Sequence, residues 1–155
     1  MMPTPTSRLR FREMTQADLS NIAALDITGV RSPTNWIDWN RQNYVEHGFG
    51  LWAVETHVGE FIGDCGLTVQ AVEDERLVES GWHVLSSARS RGYATEAAEA
   101  VREFARELGV DHLIAIIRPN NIASQRVATK IGLTLEREVH KNGGPALIFG
   151  ADLSQ

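Results

Sequence analysis

Glu79-Ser-Gly-Trp-His-Val-Leu-Ser-Ser-Ala-Arg-Ser-Arg-Gly-Tyr-Ala-Thr-Glu-Ala97 is the stretch on which the reading of this chain turns. It reads as a strand, then a tight loop of Ser, Arg and Gly, then the opening of a long helix. The first turn of a helix carries backbone N–H groups without intrahelical partners, together with the partial positive charge of the peptide dipoles. It is therefore a ready place for a phosphate or pyrophosphate. The loop Arg89-Ser-Arg-Gly-Tyr-Ala94 adds two cations, a glycine free to take a positive φ, and a small residue that lets the backbone come close. Two readings stand at this point: a phosphate-bearing cofactor held at 89–95, or a solvated strand-to-helix connection with surface arginines.

Downstream, Ala97, Val101, Phe104 and Leu108 form one apolar stripe on a helix over 94–108, with Gly109 as its stop. His112-Leu-Ile-Ala-Ile-Ile-Arg118 is apolar on both faces, as suits a central, doubly covered strand. Asn121 can cap a helix whose inward residues are Val127, Ala128 and Ile131 and which closes at Gly132. Residues 133–140 and 146–153 read as a terminal hairpin around Lys141-Asn-Gly-Gly-Pro145. Upstream, residues 1–7 look like a loose start, and Leu9 and Phe11 alternate with arginines as in a half-exposed strand. Thr15-Gln-Ala-Asp18 resembles a capping box before a helix ending near Gly29. Trp36, Trp39 and Tyr44 fit one side of a short helix before Gly48, either packing it on a sheet or walling a substrate pocket. Residues 51–55 and 60–69 read as a hairpin, with Gly63 and Gly66 marking a bulge or close approach. The acidic run Glu73-Asp-Glu75 reads as a solvated loop before the strand 79–85. The order of elements predicts one α/β (α+β) domain over 1–155.

The totals narrow the function classes. The chain has 155 residues, 43% hydrophobic and 23% charged, with a net charge of −5. That balance suits a single globular core and argues against a broad nucleic-acid footprint. The single cysteine, Cys65, lies in an apolar run and reads as a buried thiol; alone it provides neither an internal disulfide nor a cysteine-based zinc site. The histidines show no metal-ligand spacing, so no metal is expected. No signal peptide and no membrane span are apparent, which makes a reducing cytoplasm the expected location. No G-x-x-x-x-G-K is present, and no G-x-G-x-x-G follows a strand.

Arg89-x-x-Gly92-x-Ala94 between a strand and a long helix resembles the acyl-CoA pyrophosphate loop of the GNAT superfamily of N-acetyltransferases. Asn121-x-x-Ser124, Val127 and Lys130-Ile-Gly132 resemble that family's later helix, which flanks the pantetheine arm. Glu79-x-Gly81-Trp82, Tyr93-Ala-Thr-Glu-Ala97 and the opening Ser7-Arg-Leu-Arg-Phe-Arg12 are similar to its branch of ribosomal-protein N-terminal acetyltransferases, the RimJ/RimL type. The resemblance implies a mixed, mostly antiparallel twisted sheet of six to seven strands with about four helices. It also implies transfer of an acetyl group from acetyl-CoA directly to a primary amine in a ternary complex. The acceptor would be a peptide N-terminus or a small amine, and a homodimer is the family-level expectation. The alternative is a non-catalytic acyl-CoA-binding or sensing module on the same fold. Where many members carry a proton-donating tyrosine on the later helix, this chain has Ala128; Ser124 is the substitute the resemblance suggests.

The chemistry then assigns candidates. An alkylammonium, with a pKa near ~10, must lose a proton before it attacks. Glu79 is the candidate base, against the plainer reading of a strand carboxylate or ion-pair partner. His83, two pleats along on the same face, is the runner-up. Attack builds negative charge on the thioester oxygen, and on the family resemblance a free backbone N–H at Val84 or Leu85 meets it. Ser124 faces the leaving thiolate or only caps the helix or contacts CoA, whereas Asn121 reads as a cap, as a pantetheine contact, or as both. The cofactor grip is expected from Arg89, Arg91, Gly92, Tyr93, Ala94 and Thr95, mainly through backbone amides.

Overall fold

The alternation in the arginine-rich opening does form a strand, β1 (Leu9–Arg12), with Leu9 and Phe11 buried. In this computed structural model, which describes residues 1–154, β1 pairs with β2 (Leu51–Thr56), and β2 with β3 (Phe61–Val72). β3 pairs with β4 (Glu75–Val84), all antiparallel. After helix α3 (Tyr93–Glu107) the chain returns as β5 (His112–Ile117), parallel to β4. Helix α4 (Ile122–Lys130) then leads to the hairpin β6 (Thr134–Lys141) and β7 (Gly144–Asp152), and β7 inserts beside β5. The result is one seven-stranded sheet of order β1-β2-β3-β4-β5-β7-β6 with a single parallel neighbour pair, the mixed sheet expected. Among the described residues four α-helices accompany it, α1 (Leu19–Leu25) and α2 (Pro33–His47) preceding β2. Among the described residues no helix is long and apolar enough to cross a membrane.

Two layers of core follow from strand alternation. On one face Trp52, Val54, Cys65, Leu67, Leu113 and Ala115 meet Ala97, Ala98, Val101, Phe104 and Ala105 of α3. On the other, Leu51 and Ala53 meet Ile22, Leu25 and Ile37 of α1 and α2. Glu79, Gly81 and His83 occur at every second position of β4 and so share a face, opposite to that of Trp82 and Val84. Burial holds the Cys65 thiol pKa well above its usual value, consistent with a packed, inert cysteine.

Several local expectations shift. Residues 1–7 are tied down: Pro3 is buried, and Thr6 donates from its hydroxyl to Glu96 on α3. The Thr15–Asp18 capping box is present, but it caps a 3-10 turn, Gln16–Asp18, that runs into α1. α1 ends at Leu25, earlier than Gly29, because Asp26 adopts the left-handed conformation at φ 49°. α2 is a full fifteen residues, with Ser32 accepting from the Asn35 amide and Pro33 in the first turn. Glu73 and Asp74 are not a loop between separate strands but the two-residue turn of a long β3–β4 hairpin.

The glycines of β3 are close-approach positions. A Cβ on Gly66 would run into the Gly50 carbonyl oxygen, and one on Gly63 into that of His83. Backbone cannot rotate away as a side chain can. Gly66→Ala is therefore expected to destabilise the fold by about 1–3 kcal/mol, read as a lower denaturant midpoint with an unchanged slope.

Candidate active site

β4 and β5 are hydrogen-bonded neighbours for only two residue pairs, Val78 with Leu113 and Glu79 with Ile114. Beyond Glu79 the two strands part, and the remaining length of β4 has an open edge. The antiparallel ladder alternates the direction of successive amides. Leu85 N–H donates to Ile62 O on β3 at 2.9 Å. The Val84 amide, one residue earlier, therefore points away from β3, towards the edge that β5 has left. Of the two amides expected to be free, Leu85's is consumed by the sheet and Val84's is available. The Val84 carbonyl on the same edge accepts from Arg89 Nε at 3.3 Å.

Two clefts meet at this fork. One, of about 600 Å³, is lined by His83, Val84, Arg89, Gly92, Tyr93, Ala94, Thr95, Asn121 and Ser124, among others. The other, of about 760 Å³, is lined by Trp36, Trp39, Thr68, Glu79, Gly81, His83 and Ser124, among others. His83, Trp82, Asn121 and Ser124 border both. The structure thus brings together most of the residues singled out in the sequence. Leu85 and Arg91 are the exceptions. Leu85 is half-buried between the two cores, while Arg91 is exposed and contributes its carbonyl to the Arg8 guanidinium at 2.8 Å.

The start of α3 has the features of an anion site. Gly92 is the N-cap at φ 79°, a conformation that glycine takes without penalty, and it has no side chain to satisfy the amides that follow. Those of Tyr93, Ala94 and Thr95 thus lie in the unpaired first turn, beside the cleft that they line. Arg8 braces the outer side of the loop. Its NH1 donates to Arg91 O, its NH2 lies 2.7 Å from Glu96 Oε1, and its guanidinium covers the Tyr93 ring at 4.6 Å. At α4, Asn121 Oδ1 accepts from the Ser124 amide at 3.1 Å, so the capping reading of Asn121 holds in the structure. Ala128 is fully buried.

The opposite cleft carries the titratable groups. Thr68 donates from its hydroxyl to Glu79 Oε1 at 3.2 Å and accepts from Gln70 Nε2 at 3.1 Å. Burial pushes the Glu79 carboxyl up to about 7, against opposing pulls from Thr68, His83, the Ile116 amide and Lys141. His83 Nδ1 lies 2.7 Å from Asp64 Oδ1; a carboxylate accepts, so Nδ1 carries the hydrogen and Nε2 remains for other work. Burial alone would lower the His83 pKa, but Asp64 and then Glu79 more than offset it, and the net value lies above the ordinary one. Trp36 donates from Nε1 to Asp64 Oδ2 at 3.0 Å and stands edge-on to the His83 ring, 6.0 Å between centroids.

The aromatic trio of α2 divides between the two roles foreseen for it. Tyr44 stacks on Trp52 in the core, its hydroxyl donating to Leu51 O and accepting from the Met14 amide. Trp36 and Trp39 wall the cleft. Asp64 and Thr68 were not anticipated. The available signal was an acid inside the apolar run Phe61-Ile-Gly-Asp-Cys-Gly-Leu67; its meaning depends on the register that sets Asp64 opposite His83 and Thr68 opposite Glu79. Among the described residues no group of three or more His, Cys, Asp or Glu side chains could hold a metal ion.

Residues 8–134 match the acetyltransferase (GNAT) domain profile. YkkB of Bacillus subtilis (strain 168) is 30% identical over 158 aligned residues, taking in 93% of this chain and 92% of that protein. The crystal structure of an acetyltransferase from Agrobacterium tumefaciens str. C58 superposes with a TM-score of 0.84 at 26% identity, covering 97% of this chain and 94% of that one. The yncA structure from Salmonella typhimurium, solved with its cofactor acetyl-CoA, gives a TM-score of 0.74 at 19% identity over 95% of each chain, a likeness of fold.

Proposed function

The chain belongs to the GNAT acetyltransferase family, and from that premise we propose that it transfers the acetyl group of acetyl-CoA directly to a primary amine within a ternary complex. The observation that carries the reading is the β4–β5 fork. It joins an uncapped helix start, suited to a diphosphate, to a cleft holding a carboxyl that titrates near neutrality.

Each residue then has a task. The amides of Tyr93, Ala94 and Thr95, with Gly92 giving close approach and Arg89 adding charge, hold the diphosphate of acetyl-CoA. The donor supplies an activated acetyl thioester. Val84 N–H faces the oxygen that gains negative charge when the amine attacks. Glu79 takes the proton of the incoming ammonium; a base titrating at about 7 is matched to neutral pH. Asp64 fixes the tautomer of His83, the second candidate for that task. Ser124 donates a hydrogen bond to the leaving sulfur, and Asn121 orients the start of α4 that carries it.

The N-terminal acetyltransferase (RimJ/RimL-type) assignment rests on Glu79-x-Gly81-Trp82, on Tyr93-Ala-Thr-Glu-Ala97 and on the segment Ser7–Arg12. Its fold is shared by RimL, an acetyltransferase of ribosomal protein L7/L12, at 16% identity and equally by the spermidine acetyltransferase SpeG at 14%. Those likenesses therefore leave the acceptor to experiment. The reading places the protein in the cytoplasm, where Cys65 stays reduced. A screen of acetyl-CoA against peptide N-termini and small amines, reading free thiol, is expected to find acceptor-dependent release. Binding of acetyl-CoA with no release across the panel would instead identify a non-catalytic acyl-CoA module.

The Arg8 brace gives a separate expectation. Glu96 puts a carboxylate in the first turn of α3, and Arg8 neutralises it. Arg8→Met should weaken acetyl-CoA binding about tenfold, or roughly 1.4 kcal/mol, and adding Glu96→Gln should recover part of the loss. Calorimetry on the two variants checks this. No recovery would mean that Arg8 acts through loop geometry rather than charge.

A further inference from the structure

The cleft around Glu79 and His83 is also lined by two cations. Arg118, directly after β5, and Lys141, the last residue of β6, line it together with Asn142. Arg118 NH1 donates to Pro145 O at 2.9 Å and NH2 to Asn142 O at 3.3 Å; Lys141 Nζ donates to Ala71 O at 2.7 Å. Both heads are thus held by neutral carbonyls. Among the described residues neither forms an ion pair with a carboxylate. The acids of the nearby turn serve another cation: Glu73 and Glu75 lie 2.9 and 3.8 Å from Arg137. Among the described residues Glu79 is the one carboxylate lining the cleft, with Asp64 behind His83 and Trp36; the aromatic wall is Trp36, Trp39 and Trp82, and Thr68, Gln70, Asn121 and Ser124 add polar groups. A ligand here therefore meets a carboxyl, aromatic walls and two cations whose heads are held by neutral carbonyls, Lys141 also pulling through space on the Glu79 charge.

We infer that the acceptor is an amine that also carries an anionic group, a carboxylate in the simplest case, with its amine at Glu79 and His83 and its anion at Arg118 and Lys141. The inference rests on the acceptor reading of this same cleft and narrows it. A diamine or aminoglycoside would set a second ammonium against Arg118 and Lys141, a like-charge contact in a partly desolvated cleft. An amino acid, or a peptide with an acidic residue beside its free N-terminus, would instead supply the missing counter-charge to both. Gly81 leaves the cleft floor between Glu79 and His83 without a side chain, since a Cβ there would meet only the tip of Leu51.

The test uses the full chain loaded with CoA and a series of ω-amino acids of increasing length. Each is compared with its amide and with the diamine of equal length. Peptides opening Ala-Asp, Ala-Asn and Ala-Lys form a second arm that separates a peptide source of the anion from a small-molecule one. Calorimetry reads binding, and thiol release from acetyl-CoA reads transfer. At the best length, or in the best peptide, the acid is expected to bind about tenfold more tightly than its amide, with the diamine or Lys peptide weakest. Lys141→Gln should bring the acid down to the level of the amide. The wild-type series does not depend on how any variant folds. A diamine that binds as well as the acid overturns the inference, as does a series in which nothing binds, or an acid advantage that survives in the Lys141→Gln, Arg118→Gln double variant. Acid binding without thiol release would sink the transfer reading and leave the inference standing. Release favouring diamines would do the reverse.

Discussion

Glu79→Gln lowers kcat by about a hundred- to a thousandfold and leaves acetyl-CoA affinity within about twofold, if the carboxyl at the fork is the base. Glutamine keeps the size of the side chain and an oxygen for the Thr68 hydroxyl, so the cleft is preserved while proton uptake is lost. The pH dependence separates this from a structural effect. In the wild type the base is competent only when ionised, so kcat should rise with pH through about 7. That limb should vanish in Glu79→Gln. Retention of the limb there, together with its loss in His83→Gln, would transfer the role to His83. Stability moves the other way. The folded protein holds the Glu79 proton up to about 7, whereas the unfolded chain releases it in the ordinary carboxylate range. Native stability therefore falls as pH rises through that window. Glu79→Gln cannot ionise, so its Tm should exceed that of the wild type at about pH 8 and match it at about pH 5. A variant that is slower yet more heat-resistant at alkaline pH is the signature of a functional carboxyl kept in an unfavourable place.

Gly92→Asp carries the other large effect: acetyl-CoA binding weakened by about a hundredfold or more, against about threefold to tenfold for Arg89→Ala. Aspartate is among the few residues that accept the left-handed conformation seen at Gly92. Placed at the N-cap, its carboxylate would cap the amides of the first turn and put a negative charge where the diphosphate belongs. Any side chain is strained at the left-handed Gly92, so the Tm of the variant is measured beside its CoA affinity, and a binding loss at an unchanged Tm is the expected result. Arg89, by contrast, already spends part of its hydrogen-bonding capacity on the Val84 carbonyl. Its loss removes charge but leaves the amide cradle intact. Calorimetry with CoA on both variants decides the matter; equal losses would mean that side chains rather than amides hold the phosphates.

These two residues illustrate what could be read without coordinates. Gly92, Asn121 and the capping box at Thr15 are local features: a helix end needs a donor, an acceptor or a positive φ within a few residues, and the sequence carries that need openly. The amphipathic helix was legible for the same reason, although its buried face is broadened by Ala98 and Ala105 while Leu108, expected on the stripe, is 40% exposed at the helix end. The β3–β4 hairpin runs beyond the 60–69 and 79–85 that the sequence suggests as strands, because charge near a hairpin end does not distinguish solvated strand from loop. Asp64 stood visibly in an apolar run, yet only the pairing of two strands gives it His83 as a partner. The fork itself left no mark. Whether β5 follows β4 for two residue pairs or six depends on how α3 and α4 set the return strand, a tertiary outcome that no window of sequence contains.

Direct transfer between two bound substrates is the central proposal: two clefts meet at the fork, and the single cysteine, Cys65, is buried and lines neither. Initial rates of thiol release, measured over a grid of acetyl-CoA and acceptor concentrations, test it most directly. Double-reciprocal lines that intersect are the predicted result, because both substrates must be present before chemistry occurs. Parallel lines, with acetylated protein accumulating when the acceptor is withheld, would contradict it.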